Sequence, residues 1–171
     1  EALAEYGASN VEFVDCGDQL VAAGTAAIIA KKVSVVISEN KSVVVIGAQT
    51  YIGRDICANV SASTNVSVLS NAVGVEIVDG NIISTHMIFG GLKIAKAQNN
   101  NASVAIVLMR PKSTLAEKIA GVSCNISKSN GIELLDSNQS TKVLSGEKVQ
   151  VEGVALEDAK VVVSGGRGLG S

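Results

Sequence analysis

A chain of 171 residues suffices for one ordinary domain with its own core and an appendage. The apolar fraction is 47% but the aromatic fraction only 2%, so Val, Ile, Ala and Leu must fill the interior, which points to a covered sheet of the α/β class. A formal charge of −2, with Lys and Arg scattered among the acids, argues against nucleic acid as a partner, and no apolar run approaches the roughly 20 residues of a membrane span.

"EALAEYG" reads as the last turns of a helix that Gly7 ends with a left-handed cap. "VEFVD", Val11 to Asp15, is a short strand, and the Ala- and Ile-rich stretch from Gln19 to Val33 is a helix packed on a sheet. "KSVVVIGA", Lys41 to Ala48, has the continuous β-branched run of a parallel strand buried on both faces. A second helix follows over Thr50 to Thr64, with Thr50 or Gly53 near its start, Asp55 in its first turn, and Ile52, Ile56 and Val60 as its inward stripe. Then the pattern changes to antiparallel hairpins. Asp79-Gly80 separates two strand-like runs, Gly90-Gly91 precedes a third, and Asn99-Asn100-Asn101 precedes a fourth that ends at Met109 and Arg110. From Pro111 to about Gly153 the chain is polar, with short apolar runs at "GIELLD" and "KVQVEGV" that read as edge strands or connection. "LEDA" leads into a closing strand, "KVVV", and a glycine-rich end, "SGGRGLGS".

Cys16, Cys57 and Cys124 are odd in number and widely spaced, and His86 is the sole histidine, so neither a disulfide framework nor a zinc site is expected and a reducing compartment fits. The Asn-x-Ser triplets at Asn59 and Asn125 read as Asn- and Ser-rich composition rather than glycosylation sites. His86 has no Ser, Cys or acid at a spacing that reads as a catalytic pair, and no catalytic constellation or metal cluster emerges. Arg54, just beyond the strand ending at Ala48, reads either as a contact for a small anion or a partner or as part of an Arg-Asp helix start. Arg110 reads as a strand-terminus residue with a solvated or interface role.

The terminal loop is the sharpest local feature. Its glycines let backbone N–H groups approach an anion, Ser164 offers a hydroxyl, and Arg167 a planar fork matched to phosphate. The same residues suit a flexible linker equally well. The spacing is not that of a Walker loop, and where the S-G-G-x-D-S loop of ATP pyrophosphatases has its acid, Gly168 stands.

Three stretches taken together, "EALAEYGASNVEFVD", the segment from Ile46 to Ala97 with its Gly-Arg-Asp helix start and Phe-Gly-Gly turn, and "LEDAKVVVSGGRGLGS", resemble the α subunit of electron-transfer flavoproteins. The resemblance covers nearly the whole chain but about half of the family's length. It implies a three-layer α/β sandwich with a mainly parallel sheet, Rossmann-like and nucleotide α-hydrolase-like, carrying an antiparallel hairpin extension. Residues 1–155 would be the N-terminal domain without its first strand, helix and strand, and 156–171 the start of a C-terminal FAD-binding domain. It further implies an electron carrier rather than an enzyme in its own right. Arg167 matches an arginine that contacts FAD, with Ser164, Gly165 and Gly166 as the adjoining turn. FAD is expected in the intact protein and weakly or not at all on this stretch. The implied partners are a β subunit, dehydrogenases that donate electrons and an acceptor, in the cytoplasm or, in a eukaryote, the mitochondrial matrix. This portion would serve as scaffold and β-subunit interface. The rival readings are an adenine-nucleotide-binding or hydrolysing α/β domain and a stand-alone binding module.

Overall fold

The computed structural model describes residues 2–15, 22–39, 41–99, 104–119, 121, 123–131, 144–147 and 153–169. The expected runs at 132–136 and 148–152, and Cys16, lie outside them.

Among the described residues seven strands and two long helices appear in the order β1 (Asn10–Asp15), α1 (Ala22–Ser38), β2 (Val43–Ala48), α2 (Tyr51–Thr64), β3 (Val68–Val78), β4 (Asn81–Ile88), β5 (Lys93–Gln98), β6 (Val104–Met109) and β7 (Asn125–Asn130). Five of the strands form one mixed sheet ordered β2-β6-β3-β4-β5, and β1 pairs with β7 in a separate two-stranded sheet. The pairings β1–β7, β2–β6 and β3–β6 are parallel, whereas β3–β4 and β4–β5 are antiparallel. The chain is therefore an α/β fold whose parallel half grows into an antiparallel extension. Among the described residues, both long helices lie against the same face of the sheet.

Strand β6 corrects one expectation. It does not continue the hairpin series but returns to the sheet's interior, parallel to β2 and β3, and five of its residues, Val104 to Leu108, are buried. An uninterrupted apolar strand fits only where both faces are covered, and the sheet centre is that place. On the helix side, Val104, Ile106 and Leu108 pack with Ala26 and Ala30 of α1 and Cys57 and Val60 of α2. On the other side, Ala105 and Val107 pack with Ala72 and Ile82. Burial of each such valine, isoleucine or leucine side chain contributes about 1.5–3 kcal/mol, so β6 contributes strongly to the cohesion of the sheet.

Helix α1 continues through "VSVVIS" to Ser38, beyond the expected end at Val33. β-Branched residues are weak helix formers, but a helix already propagating through an alanine-rich segment needs no new nucleus; Val33 is buried, and Ile37, one turn on, packs against the helix-side core. In α2 the inward residues are Ile56, Cys57 and Val60, while Ile52 is 69% exposed. Burial pushes the Cys57 thiol pKa up, which suits a packing group rather than a nucleophile.

Local signals elsewhere act as expected. Gly7 adopts φ 94 and its N–H donates to Ala4 O, closing the short 3₁₀ turn Ala4–Tyr6. Asp79 and Gly80, at φ 50 and 79, make the two-residue turn between β3 and β4.

The small sheet is tied to α1 through Glu12, whose carboxylate accepts from Lys32 Nζ at 2.7 and 2.8 Å and from Ser129 Oγ at 2.7 Å. The Lys32 and then the Ser129 hydrogen bonds hold the Glu12 carboxyl below its ordinary pKa. A depressed carboxylate stabilises the fold above the unfolded-state pKa, and that contribution is lost as pH falls through the folded-state value. NMR titration of the Glu12 carboxyl should therefore show a midpoint below the model-peptide range of about 4.3, rising toward it in Lys32→Ala and further when Ser129→Ala is added.

Candidate functional site

The parallel strands β2 and β6 end at one edge, beside the point at Asn71 and Ala72 where β3 leaves the parallel half, the place where open α/β sheets gather ligand-binding groups. Here polar side chains join the strand ends. Gln49 N–H donates to Met109 O at 2.8 Å, and its side-chain oxygen accepts from Asn71 N–H at 3.3 Å. Arg110 N–H donates to Ala72 O at 2.8 Å and its Nε to Asn71 Oδ1 at 3.1 Å. Asn71 sits at φ 59, where the register between β3 and β6 shifts from Leu69 to Ala72. The bulge bends β3 as it leaves the parallel half, and Arg110 fastens it. Arg110 is thus a structural clasp, more specific than a solvated strand end.

Beside this edge α2 begins. Thr50 is its N-cap, in an extended conformation, and its hydroxyl accepts from Gly53 N–H at 3.0 Å. The Gly-Arg-Asp sequence has a steric reason: a Cβ on Gly53 would run into the carbonyl oxygen of Ala48 at the end of β2. Arg54 lies over the Tyr51 ring at 5.1 Å, both side chains exposed. They line two adjoining depressions, an open cleft of about 730 Å³ reaching Ala22 and Thr25 of α1, and one of about 400 Å³ bounded by Gln49 and Thr50. Arg54 therefore belongs to the helix start and presents an exposed cation at the strand edge.

His86 has a partner that the sequence reading missed. Ser84 Oγ lies 2.7 Å from its Nε2 and 3.2 Å from Ala97 O. Residues two apart on a strand share a face, which is the signal that could have found the pair. Ser84 is wholly buried, so its hydroxyl cannot meet a substrate and the pair fastens β4 to β5 rather than forming a nucleophile.

The C-terminal loop stands apart from these groups. Leu156 to Asp158 form a short turn that Lys112 Nζ holds through Asp158 Oδ1 at 3.3 Å. The valines expected as a strand are not one: Val161, Val162 and Val163 are 80, 53 and 93% exposed and pair with no strand among the described residues. Without a neighbouring strand, β propensity has no ladder to form. Ser164, Gly165, Gly166 and Arg167 are all exposed, and Arg167 to Leu169 make one turn closed by Leu169 N–H to Gly166 O at 3.0 Å. Nothing lies within 4 Å of where a Cβ on Gly166 would stand, so its backbone is open to close approach. With an exposed guanidinium one residue on, these groups fit an oxyanion such as a diphosphate.

A mixed sheet with a parallel half flanked by two helices, an edge of gathered polar groups and an antiparallel extension defines a Rossmann-like α/β domain. Residues 1–134 match the electron transfer flavoprotein domain, and the chain belongs to that family. It is 29% identical over 171 residues to Protein FixB of Clostridium saccharobutylicum, covering 99% of this chain and 50% of that protein. It is 27% identical over 140 residues to the electron transfer flavoprotein subunit alpha of Bacillus subtilis, covering 80% and 41%. With the subunit alpha of Clostridium acetobutylicum the identity is 27% over 175 residues, covering 99% and 51%. The chain thus spans about half the length of the curated relatives it matches.

Proposed function

We propose that this chain is the scaffold portion of an electron-transfer flavoprotein α subunit, which pairs with a β subunit and passes electrons from dehydrogenases to an acceptor through FAD. The observation that carries this reading is the family match over residues 1–134, joined by relatives named as subunit alpha that align along 80 and 99% of the chain. In this reading residues 1–155 are the N-terminal domain and 156–171 open the flavin domain. FAD would supply the reversible uptake and release of electrons. The chain's own part is to hold: Arg167 would offer its guanidinium to the cofactor's diphosphate, and Ser164, Gly165 and Gly166 would offer a hydroxyl and backbone N–H groups, with Gly166 open to close approach and the Leu169 side chain packed against Gly165. A large aliphatic core and side-chain pairs committed to structure, such as Ser84–His86, support the scaffold role. Among the described residues no helix is long and apolar enough to cross a membrane; the subunit reading itself places the chain in the cytoplasm, or in the mitochondrial matrix of a eukaryote.

The test is Arg167→Ala in the protein expressed from its complete reading frame together with the β-type subunit of the same genome. The reading expects unchanged assembly and a loss of flavin affinity of at least tenfold, the scale of one charge-assisted hydrogen bond. Full flavin retention would remove Arg167 from the site, and failure of the unaltered chain to assemble would remove the subunit reading.

A further inference from the structure

We propose that Lys112 is a positioning residue: its ion pair with Asp158 latches the chain that leads into the glycine-rich loop to the edge of the sheet where β2 and β6 end. The consequence for flavin rests on the subunit reading above, whereas the latch itself does not. Its base is firm. Strand β6 is buried through Leu108, and Arg110, just beyond its end, is tied to β3 by its N–H to Ala72 O at 2.8 Å and its Nε to Asn71 Oδ1 at 3.1 Å. Arg110-Pro111-Lys112-Ser113 then turns sharply, Ser113 donating to Arg110 O from its N–H at 3.3 Å and from its hydroxyl at 2.8 Å. Proline second and a left-handed third residue are the pattern of a type II turn. That third position usually goes to glycine or asparagine, yet here it holds Lys112 at φ 61. What lysine adds over glycine there is its ammonium group, and Nζ reaches Asp158 Oδ1 at 3.3 Å.

Among the described residues, the other hydrogen bonds of 153–169 stay within that segment: Asp158 N–H to Ala155 O, Ala159 N–H to Leu156 O and Leu169 N–H to Gly166 O. The Lys112–Asp158 pair is their polar tie to the sheet. Val161 to Val163 pair with no strand among the described residues, so no ladder fixes the chain between Asp158 and the loop. Asp158 and Ser164 lie six positions apart, a reach of roughly 20 Å at full extension. Pinning Asp158 therefore keeps the start of the loop within that distance of the strand ends. The two side chains are 67 and 69% exposed, so the pair is weak and screened by salt. A tie of that strength biases the position of the loop without freezing it.

The experiment follows amide hydrogen exchange across residues 155–163 in the protein expressed from its complete reading frame. The single variants K112D and D158K should each speed exchange of the Asp158 and Ala159 amides about two- to fivefold, the range an exposed pair supports, and the double variant K112D/D158K should restore the unaltered rate. In 1 M NaCl, where the screening length is about 3 Å, the unaltered chain should exchange like the single variants. Lys112→Gly keeps the left-handed turn without the charge; it should melt no lower than the unaltered chain and exchange as fast as K112D. Unchanged exchange in the single variants, or no recovery in the double, would overturn the latch. With the β-type subunit of the same genome, each single variant should raise the flavin dissociation constant at least about twofold, and the double should bring it back. Faster exchange with unaltered flavin affinity would overturn the positioning role and leave the subunit reading standing. An unaltered chain that takes up no flavin with the β-type subunit would overturn that reading's cofactor, while the exchange rates still decide the latch.

Discussion

Gly53→Ala is expected to destabilise the domain by about 3 kcal/mol or more, although Gly→Ala in an ordinary helix interior gains roughly 1 kcal/mol. The sign reverses because the new methyl would overlap the Ala48 carbonyl oxygen, a backbone atom at the end of β2 that cannot rotate away. Relief would require α2 to shift off the strand, taking Cys57 and Val60 out of the core. Thermal unfolding should register a fall in midpoint of about 6–12 °C or more for a domain of this size. Two comparisons isolate the cause. Thr50→Ala removes only the cap to Gly53 N–H and should cost about 1 kcal/mol. Gly47→Ala meets the side-chain atoms Cys57 Sγ and Leu108 Cδ2 at 2.9 and 3.2 Å, which can move, and should fall between the two. A neutral Gly53→Ala would mean that α2 does not start against the strand end.

Ile106→Ala should cost about 3–4 kcal/mol, the upper range for truncating a fully buried aliphatic side chain. Ile106 is completely buried at the middle of β6, between two strand neighbours, with Ala30, Cys57 and Val60 in the cluster above it. The small alanines around it leave little that can collapse into the void. Urea unfolding should show a lower midpoint at unchanged slope, since the surface exposed on unfolding barely changes. Ile77→Ala, at a position 68% exposed on β3, should stay within about 0.5 kcal/mol.

These two positions also mark what the sequence could reveal. The start of α2 was legible because its determinants are local: a capping threonine, a glycine three residues on, and a β-branched run just before. The Asp79-Gly80 hairpin was legible for the same reason. Strand β6 was legible as a strand but not in its place, because insertion between β2 and β3 depends on contacts distant in sequence. The valine-rich end of α1 and the valines at 161–163 show propensity overruled from opposite directions. In one case the core supplies a helix face, and in the other no strand among the described residues pairs with the segment. Ile52 was assigned inward on spacing alone, whereas the actual inward stripe is set by how α2 lies across the sheet. The Ser84–His86 pair needed only the period of two along a strand.

The loop from Ser164 to Arg167 is a different matter. Its residues say anion or linker, and its geometry adds exposure and open backbone. The assignment to FAD comes from resemblance, and the family match gives it a foundation without reaching the loop itself, since that match ends at residue 134.

The central claim is that this domain belongs to an electron carrier. The most direct test is the visible spectrum of the protein expressed from its complete reading frame and purified with its β-type subunit. The account predicts flavin absorption bands that bleach on chemical reduction and return in air; a colourless complex, or no complex, would contradict it.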